Sequence, residues 1–144
     1  MTVTTRHATL EEIWQRYQCI PEFGGLHALH DLQQRIADAP ACWLVAELDS
    51  QPVGFKLGYQ TQPDTFYRWL DGVLPAFRRH GVALALLAAQ ERWVRAQGYR
   101  RLMVKTRNRF RGMLMVLVDN GYRIIELEKK GEVADYRLLL EKNL

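Results

Sequence analysis

Cysteine and proline are scarce in this sequence, with two and five residues respectively in a chain of 144. Cys19 and Cys42 lack the spacing of metal ligands, and two cysteines do not make the framework of a disulfide-rich secreted domain. We therefore expect two reduced, buried thiols and no metal site. The alternative for these cysteines is a catalytic thiol.

Long hydrophobic runs are also missing. No apolar stretch approaches the ~18 residues that a membrane-spanning helix needs. The first residues, Met-Thr-Val-Thr-Thr-Arg, lack the hydrophobic segment of a secretory signal. Internal repeats and low-complexity tracts are absent as well. The sequence thus predicts a soluble cytoplasmic protein with no membrane partner.

The residues that are present suffice for one core and carry a basic charge. Hydrophobic residues make up 48% of the chain, which favours a single domain over residues 1–144. A net charge of +4 predicts an anionic partner. Many of the basic residues crowd between positions 100 and 111. Because the chain lacks the signatures of RNA-binding and DNA-reading modules, we favour a phosphate-bearing cofactor and expect no nucleic acid.

Periodicity and turn residues predict alternating strands and helices. Thr9 with Glu12 forms a capping box, which opens a helix that runs to about Ile20. The remaining predicted helices span 26–36, 82–97 and 108–120, and the predicted strands span 3–7, 43–48, 53–60, 66–73, 101–106, 122–128 and 134–141. The strand, helix and strand between 66 and 106 require one parallel pair, whereas the other connections suit hairpins. The sequence therefore predicts an α+β fold with a mixed sheet.

The most informative segment joins the strand ending at Val73 to the helix beginning at Val82. It carries Arg78, Arg79 and Gly81 just before the helix. The first N–H groups of a helix have no partner within the helix, and its N-terminus carries partial positive charge. This loop therefore predicts a phosphate-binding site.

The order of elements, together with four short motifs, resembles the GNAT superfamily of acyl-CoA-dependent N-acetyltransferases. The motifs are Arg78-x-x-Gly81-x-Ala83, Val73-x-Pro75, Gly98-Tyr99 and Asn120-Gly121-Tyr122. The resemblance covers the whole chain and is to a small, single-domain bacterial member. It implies a central, mostly antiparallel mixed sheet of about seven strands flanked by about four helices.

The same resemblance implies acetyl-CoA as the co-substrate. The backbone amides between Arg79 and Leu84 would hold the pyrophosphate, and the main chain at Val73 and Leu74 would run beside the pantetheine arm and polarise the thioester carbonyl. Asn108 would lie near the pantetheine. The implied cofactor-binding residues are Val73, Leu74, Arg78, Arg79, His80, Gly81, Val82, Ala83, Leu84 and Asn108.

Acetyl transfer to an amine needs a base for the ammonium and benefits from an acid for the departing thiolate. The candidate bases or ammonium anchors are Asp71, for which the alternative is an ion pair with a neighbouring arginine, and Glu22, for which it is a solvated loop carboxylate. Many GNAT members place the acid, a tyrosine, where this chain has Leu117. Tyr122 and Tyr136 are possible substitutes, and water is another.

Aromatic residues are the candidates for the acceptor site. Phe23, Tyr59, Tyr67 and Trp69 would accommodate an apolar or cationic acceptor, unless they serve only as core and sheet residues. Strict strand alternation would place Tyr67, Trp69, Asp71 and Val73 on one face of the sheet.

The resulting prediction is an N-acetyltransferase that acts on a primary amine of a small molecule or peptide. The alternative is a catalytically idle domain that binds acyl-CoA or a protein partner, which Leu117 favours. A homodimer is also possible, because the terminal strands offer an edge for pairing.

Overall fold

The computed structural model describes residues 2–24 and 27–144. Within these ranges the helices and strands follow the predicted order. They are β1 (Val3–His7), α1 (Leu10–Tyr17), α2 (Leu29–Ile36), β2 (Ala41–Leu48), β3 (Gln51–Gln62), β4 (Thr65–Val73), α3 (Val82–Ala96), β5 (Arg101–Arg107), α4 (Arg111–Asp119), β6 (Arg123–Glu128) and β7 (Arg137–Asn143). No helix in the described part of the chain has the length and apolar character needed to cross a membrane.

The seven strands form one sheet in the order β1-β2-β3-β4-β5-β7-β6. The neighbouring strands run antiparallel, with the exception of β4 and β5, which are parallel. Strand β7 inserts between β5 and β6, so that β6 forms the outer edge. The predicted α+β class, the mostly antiparallel mixed sheet, the seven strands and the four helices are confirmed.

The helices cover the sheet on both faces. On one face, α1 and α2 bury Leu10, Ile13, Leu32 and Ile36 in a cluster with β3. On the other, α3 packs its apolar side on β1 to β4, and α4 contacts β5. The predicted capping box of α1 is confirmed, since Thr9 Oγ1 accepts from the amide of Glu12 and the Glu12 carboxylate accepts from the amide of Thr9.

Several element boundaries differ from the prediction. Helix α1 ends at Tyr17, and α2 begins at Leu29, while the predicted start at Leu26 lies outside the described residues. Helix α4 begins at Arg111 rather than at 108, because the amides of Asn108 and Arg109 donate to carbonyls of residues 136 and 134. Strand β7 begins at Arg137, since the three residues Val133–Asp135 form a 3-10 turn.

A β-bulge in β4 changes which side chains share a face. Leu57 pairs with Leu70 and Gly58 pairs with Arg68, which leaves Trp69 as the extra residue. Tyr67 and Trp69 therefore pack on the α1 and α2 side, whereas Val73 packs on the α3 side. The expectation that these three residues share one face with Asp71 is wrong, because the bulge interrupts the alternation.

Strands β4 and β5 separate after a short pairing. Residues Thr65 to Arg68 pair with residues Arg101 to Val104, and beyond them both strands continue without pairing to each other. We call this divergence, bounded by 69–73 and 105–107, the fork. It leaves main-chain hydrogen-bonding groups of two strands facing a gap, where an extended ligand can add as a strand.

The two cysteines differ in environment. Cys42 is 1% exposed, and burial raises the pKa of its thiol to about 12. Cys19 is exposed, with its Sγ donating to the carbonyl of Gln15. The prediction of a buried thiol is confirmed for Cys42 and wrong for Cys19, because Cys19 lies in the turn that follows α1.

Candidate active site

The N-terminus of α3 forms an open anion site. Gly81 is its N-cap residue, with φ of 79°, and no side chain caps the helix. The first-turn amides thus have no partner within the helix. A Cβ added at Gly81 would meet no atom within 4 Å, so the space before these amides is open. Arg79 also has a positive φ, of 66°, a conformation that costs a non-glycine residue strain and is typical of ligand-binding loops.

A groove of about 390 Å³ extends from this helix end to the fork. Its walls come from the end of β4, the loop before α3, the first turns of α3 and one residue of α4. The lining residues are Asp71, Gly72, Val73, Phe77, Arg78, Arg79, Gly81, Val82, Ala83, Leu84, Leu86 and Met113. The structure thus brings together most of the residues predicted to bind the cofactor, together with Asp71.

Three predicted cofactor residues lie apart from the groove lining. The amide of Leu74 donates to the carbonyl of Val53 at 2.8 Å, and its side chain packs on the α1 and α2 side. His80 is exposed. The Asn108 side chain donates to the carbonyl of Val133 at 2.8 Å and so ties the end of β5 to the 3-10 turn.

Asp71 is paired with a buried lysine. Lys56 is 4% exposed, and its Nζ lies 2.9 Å from Oδ2 of Asp71. Burial on its own would raise the pKa of Asp71, but the charge and hydrogen bond of Lys56 and the charge of Arg68 hold that pKa below its ordinary value. Burial lowers the pKa of Lys56, against the effect of Asp71. Asp71 is therefore a charged carboxylate at the groove, with one oxygen committed to Lys56.

Glu22 forms an ion pair with Arg78 of the loop before α3. The shortest contact, between Arg78 Nη1 and Glu22 Oε2, is 2.7 Å. The hydrogen bond from Arg78 holds the pKa of Glu22 below its ordinary value. A residue predicted as a base or ammonium anchor and a residue predicted to bind the cofactor are thus direct partners.

Tyr122 is buried between the sheet and α3, in the core cluster on that face. It is 2% exposed, and its hydroxyl accepts a hydrogen bond from Nη1 of Arg68. Burial raises the pKa of Tyr122. The same guanidinium donates from Nε to Gln90 Oε1 and from Nη2 to the carbonyl of Leu87, each at 2.8 Å. The Tyr122 hydroxyl therefore belongs to a buried cluster around Arg68.

The predicted acceptor aromatics lie on the opposite face of the sheet. Tyr59 contacts Tyr67 and Trp69 edge to face, with ring centroids 5.7 and 5.8 Å apart. Phe23 stacks on Tyr17, with ring centroids 4.4 Å apart, and belongs to the same apolar cluster as these three residues. Tyr59, Tyr67 and Trp69 thus form an aromatic group beside the fork, on the α1 and α2 side.

Comparison with known proteins identifies the family. Residues 7–114 match the model of the Acetyltransferase (GNAT) family. The chain belongs to the GNAT family. GNAT enzymes use acetyl-CoA, so the family implies an acyltransferase with this co-substrate. No curated protein matches the sequence significantly.

Solved GNAT structures share the fold over nearly the whole chain. Ard1 of Thermoplasma volcanium is 17% identical, with a TM-score of 0.82, and the match covers 100% of this chain and 99% of that one. The ribosomal-protein-S18-alanine N-acetyltransferase of Escherichia coli is 12% identical, with a TM-score of 0.84 and coverage of 99% and 94%. A GNAT acetyltransferase of Elizabethkingia anophelis with acetyl-CoA bound is 16% identical, with a TM-score of 0.77 and coverage of 99% and 98%. At these identities the likeness shows the shared fold alone.

Two charged residues of this GNAT protein escaped the sequence-based prediction. Lys56 and Arg68 are both buried beside Asp71, on the face that α3 covers. Each stands alone among apolar or aromatic neighbours, in Val53-Gly-Phe-Lys-Leu-Gly-Tyr59 and in Phe66-Tyr-Arg-Trp-Leu70. A buried cation needs a hydrogen-bonding or charged partner. A single lysine or arginine within an apolar strand could therefore have predicted these buried polar contacts.

Proposed function

We propose that the protein transfers an acetyl group from acetyl-CoA to a primary amine of a small molecule or peptide, by direct attack in a ternary complex. We further propose that residues 1–144 act as one acetyltransferase domain. The main observation in support is the groove that joins the open N-terminus of α3 to the fork. Family membership supports the acetyl donor, and the aromatic group beside the fork supports an acceptor site there.

In this proposal the loop before α3 holds the pyrophosphate of the donor. The open space at Gly81 admits the phosphates to the first-turn amides, and Arg79 lines the same groove. The side of the main chain at 69–73 that faces the fork binds the pantetheine arm as an added strand, although the carbonyl of Val73 already accepts from Arg78. Leu74 contributes packing, because its amide is already bonded to Val53. His80 and Asn108 remain predictions as cofactor contacts.

Asp71 is our candidate for proton removal from the acceptor ammonium, directly or through water. Its charge suits the anchoring of an ammonium group. Because a lowered pKa makes the carboxylate a weak base, the proton leaves through a water that Asp71 orients. Glu22 is the second candidate and acts in the same site only when it leaves Arg78. We assign Tyr122 to holding Arg68 and leave thiolate protonation to water.

The alternative function is binding without catalysis. Many GNAT members have a tyrosine that acts as the general acid at the position of Leu117. Leu117 lies on α4, is 1% exposed and packs into the core, so this position offers no proton donor. An idle domain would bind acetyl-CoA and release no thiol with any amine. Nucleic-acid binding is disfavoured because Arg101, Lys105, Arg107 and Arg109 are paired with carboxylates. A cytoplasmic location remains a prediction.

A homodimer through β6 is a further part of the proposal. Strand β6 ends the sheet, and Ile124, Ile125 and Leu127 are each about half exposed. Antiparallel pairing of two β6 strands about a two-fold axis would cover these apolar side chains and satisfy the free edge of the sheet. Sedimentation of the protein and of Ile124→Lys tests this, and a monomeric wild type would contradict it.

Two measurements test the function. First, the melting temperature is compared with saturating acetyl-CoA and with acetate; binding of the donor raises it by mass action, and acetate does not. Second, release of free thiol from acetyl-CoA is followed over a panel of amines. No shift with acetyl-CoA would overturn the proposal, and a shift without thiol release over the whole panel would favour the idle domain.

A further inference from the structure

Arg35 of α2 reaches across to the aromatic group beside the fork. Its Nε donates to the hydroxyl of Tyr59 at 2.9 Å, and its guanidinium carbon lies 5.0 Å from the centroid of the Trp69 ring. Helix α2 fixes the base of this side chain, because Leu32 and Ile36 are buried on either side of it in sequence. The guanidinium is therefore held by one hydrogen bond and by a cation-π contact.

The position of this guanidinium matters because of the bulge. Arg68 pairs with Val104 in the last rung between β4 and β5, and Trp69 follows as the extra residue. Trp69 is thus the first residue of β4 within the fork, on the α1 and α2 side. A group bound beside Arg35 lies at the mouth of the gap through which acceptor and donor must meet.

Arg35 lacks a carboxylate partner among residues 2–24 and 27–144, in contrast to Arg6, Arg78 and Arg101. The hydrogen bond to Tyr59 uses only Nε, so that both Nη groups are available. The planar guanidinium suits a bidentate carboxylate, and a guanidinium already ordered by its own protein loses little freedom on binding one. The Trp69 ring, which would otherwise attract a cationic acceptor, already holds the guanidinium of Arg35.

We propose that Arg35 binds a carboxylate of the acceptor, so that the acceptor is an amino acid or a short peptide bearing both an amine and a carboxylate. This inference rests on the proposed function and narrows its substrate class. Like-charge repulsion from Arg35 disfavours polyamines and other polycations.

The test compares acceptors that differ only in the carboxylate, in wild type and in Arg35→Gln. Phenylalanine and methionine are each paired with their carboxamides, and kcat/KM is measured for all four at saturating acetyl-CoA. Because the amine of an amide is the weaker base, the quantity of interest is the ratio of acid to amide, compared between proteins. We expect this ratio to fall about 10- to 150-fold in Arg35→Gln, the loss of a charge-assisted hydrogen-bonded pair.

Two further variants separate recognition from general effects. Arg35→Lys keeps the charge and loses the planar fork, so its ratio should lie between the other two. Arg92→Gln removes an exposed arginine of α3, on the other face of the sheet, and should leave the ratio unchanged. Equal ratios in wild type and Arg35→Gln, or a polyamine preferred over every amino acid, would overturn the inference.

Binding is measured as well, so that the inference does not depend on turnover. Calorimetry follows phenylalanine binding to protein saturated with free CoA, which cannot transfer an acetyl group. Wild type should bind phenylalanine more tightly than phenylalaninamide, and Arg35→Gln should lose the difference. If wild type acetylates no amine, the proposed function fails while this binding result still decides the role of Arg35.

Discussion

Arg78 commits all three of its guanidinium nitrogens to two partners that are far apart in sequence. Nη1 and Nη2 contact the two carboxylate oxygens of Glu22 at 2.7 and 2.8 Å, and Nε donates to the carbonyl of Val73 at 3.1 Å. One side chain thereby connects the segment after α1, the end of β4 and the loop before α3. A phosphate that binds Arg78 has to compete with Glu22.

Glu22→Gln should therefore raise the affinity for CoA. An exposed ion pair of this kind contributes up to about 1 kcal/mol, so we expect a gain of at most about fivefold when the competing carboxylate is neutralised. Calorimetric titration with CoA measures it. Glu11→Gln, an exposed glutamate of α1, is the control and should change nothing. Unchanged affinity in Glu22→Gln would remove Arg78 from the phosphate contacts.

Gly81→Glu should abolish CoA binding, because it places a carboxylate before the amides at the start of α3. Gly98→Glu is a closely matched control at the opposite end of the same helix. Both glycines have positive φ, of 79° and 88°, and both have open space where a Cβ would stand. Each variant should lose about 1 kcal/mol from the positive φ, with a somewhat larger loss in Gly98→Glu because a carboxylate is unfavourable at a helix C-terminus. Only Gly81→Glu should lose the melting shift with CoA. Retained binding in Gly81→Glu would disprove the phosphate site.

Asp71→Asn and Lys56→Met should differ in stability although they break the same ion pair. The first leaves a buried ammonium without its carboxylate, and we expect a loss of about 2 kcal/mol, discounted from the range for buried pairs because the Asp71 side chain is 39% exposed. The second leaves a half-exposed carboxylate and a methionine of similar size, with a loss below about 1 kcal/mol. Urea denaturation measures both, and the reverse order would contradict the burial assigned to Lys56.

The pH dependence of the same pair follows from the lowered pKa of Asp71. A depressed carboxyl pKa contributes stability above its ordinary value of 3.8 and loses it as the pH falls through the lower folded-state value. The advantage of wild type over Asp71→Asn should thus be full near neutrality and shrink only below about pH 4. An advantage that disappears between pH 7 and 5 would be inconsistent with the charged pair.

Tyr122→Phe separates a structural from a catalytic hydroxyl. Losing the partner of the buried Arg68 should cost about 1–3 kcal/mol of stability. Turnover with the best amine, at a temperature where the variant is folded, should stay within a few-fold of wild type. If Tyr122 were the general acid, turnover would fall by about 10² to 10⁴ while CoA affinity held.

Much of the fold follows from local signals. The capping box at Thr9 and the period of α3 depend on residues close in sequence, as does Gly81 at the helix start, and sequence patterns detect such features. The bulge at Trp69 could not be predicted, because register depends on which residues of β3 stand opposite β4. One inserted residue then moved Asp71 to the other face from Tyr67.

The site was predicted unevenly for the same reason. The loop before α3 is contiguous in sequence, and most of its residues indeed line the groove. The partner of Arg78 lies 56 residues away, and the partner of Asp71 lies 15 residues away on another strand. Pairings of this kind are fixed by tertiary packing, which single-sequence patterns do not encode.

The fork also has a consequence for how the free protein fluctuates. Only four residue pairs join β4 to β5, whereas seven join β5 to β7. The pairing of β4 with β5 is therefore the weakest in the sheet. In native-state hydrogen exchange, amides of 69–73 and 105–107 that face the gap should exchange quickly and become protected when CoA is added. Bound CoA would thereby join the two halves of the sheet, so that the amides of β4 and β5 exchange as one cooperative unit.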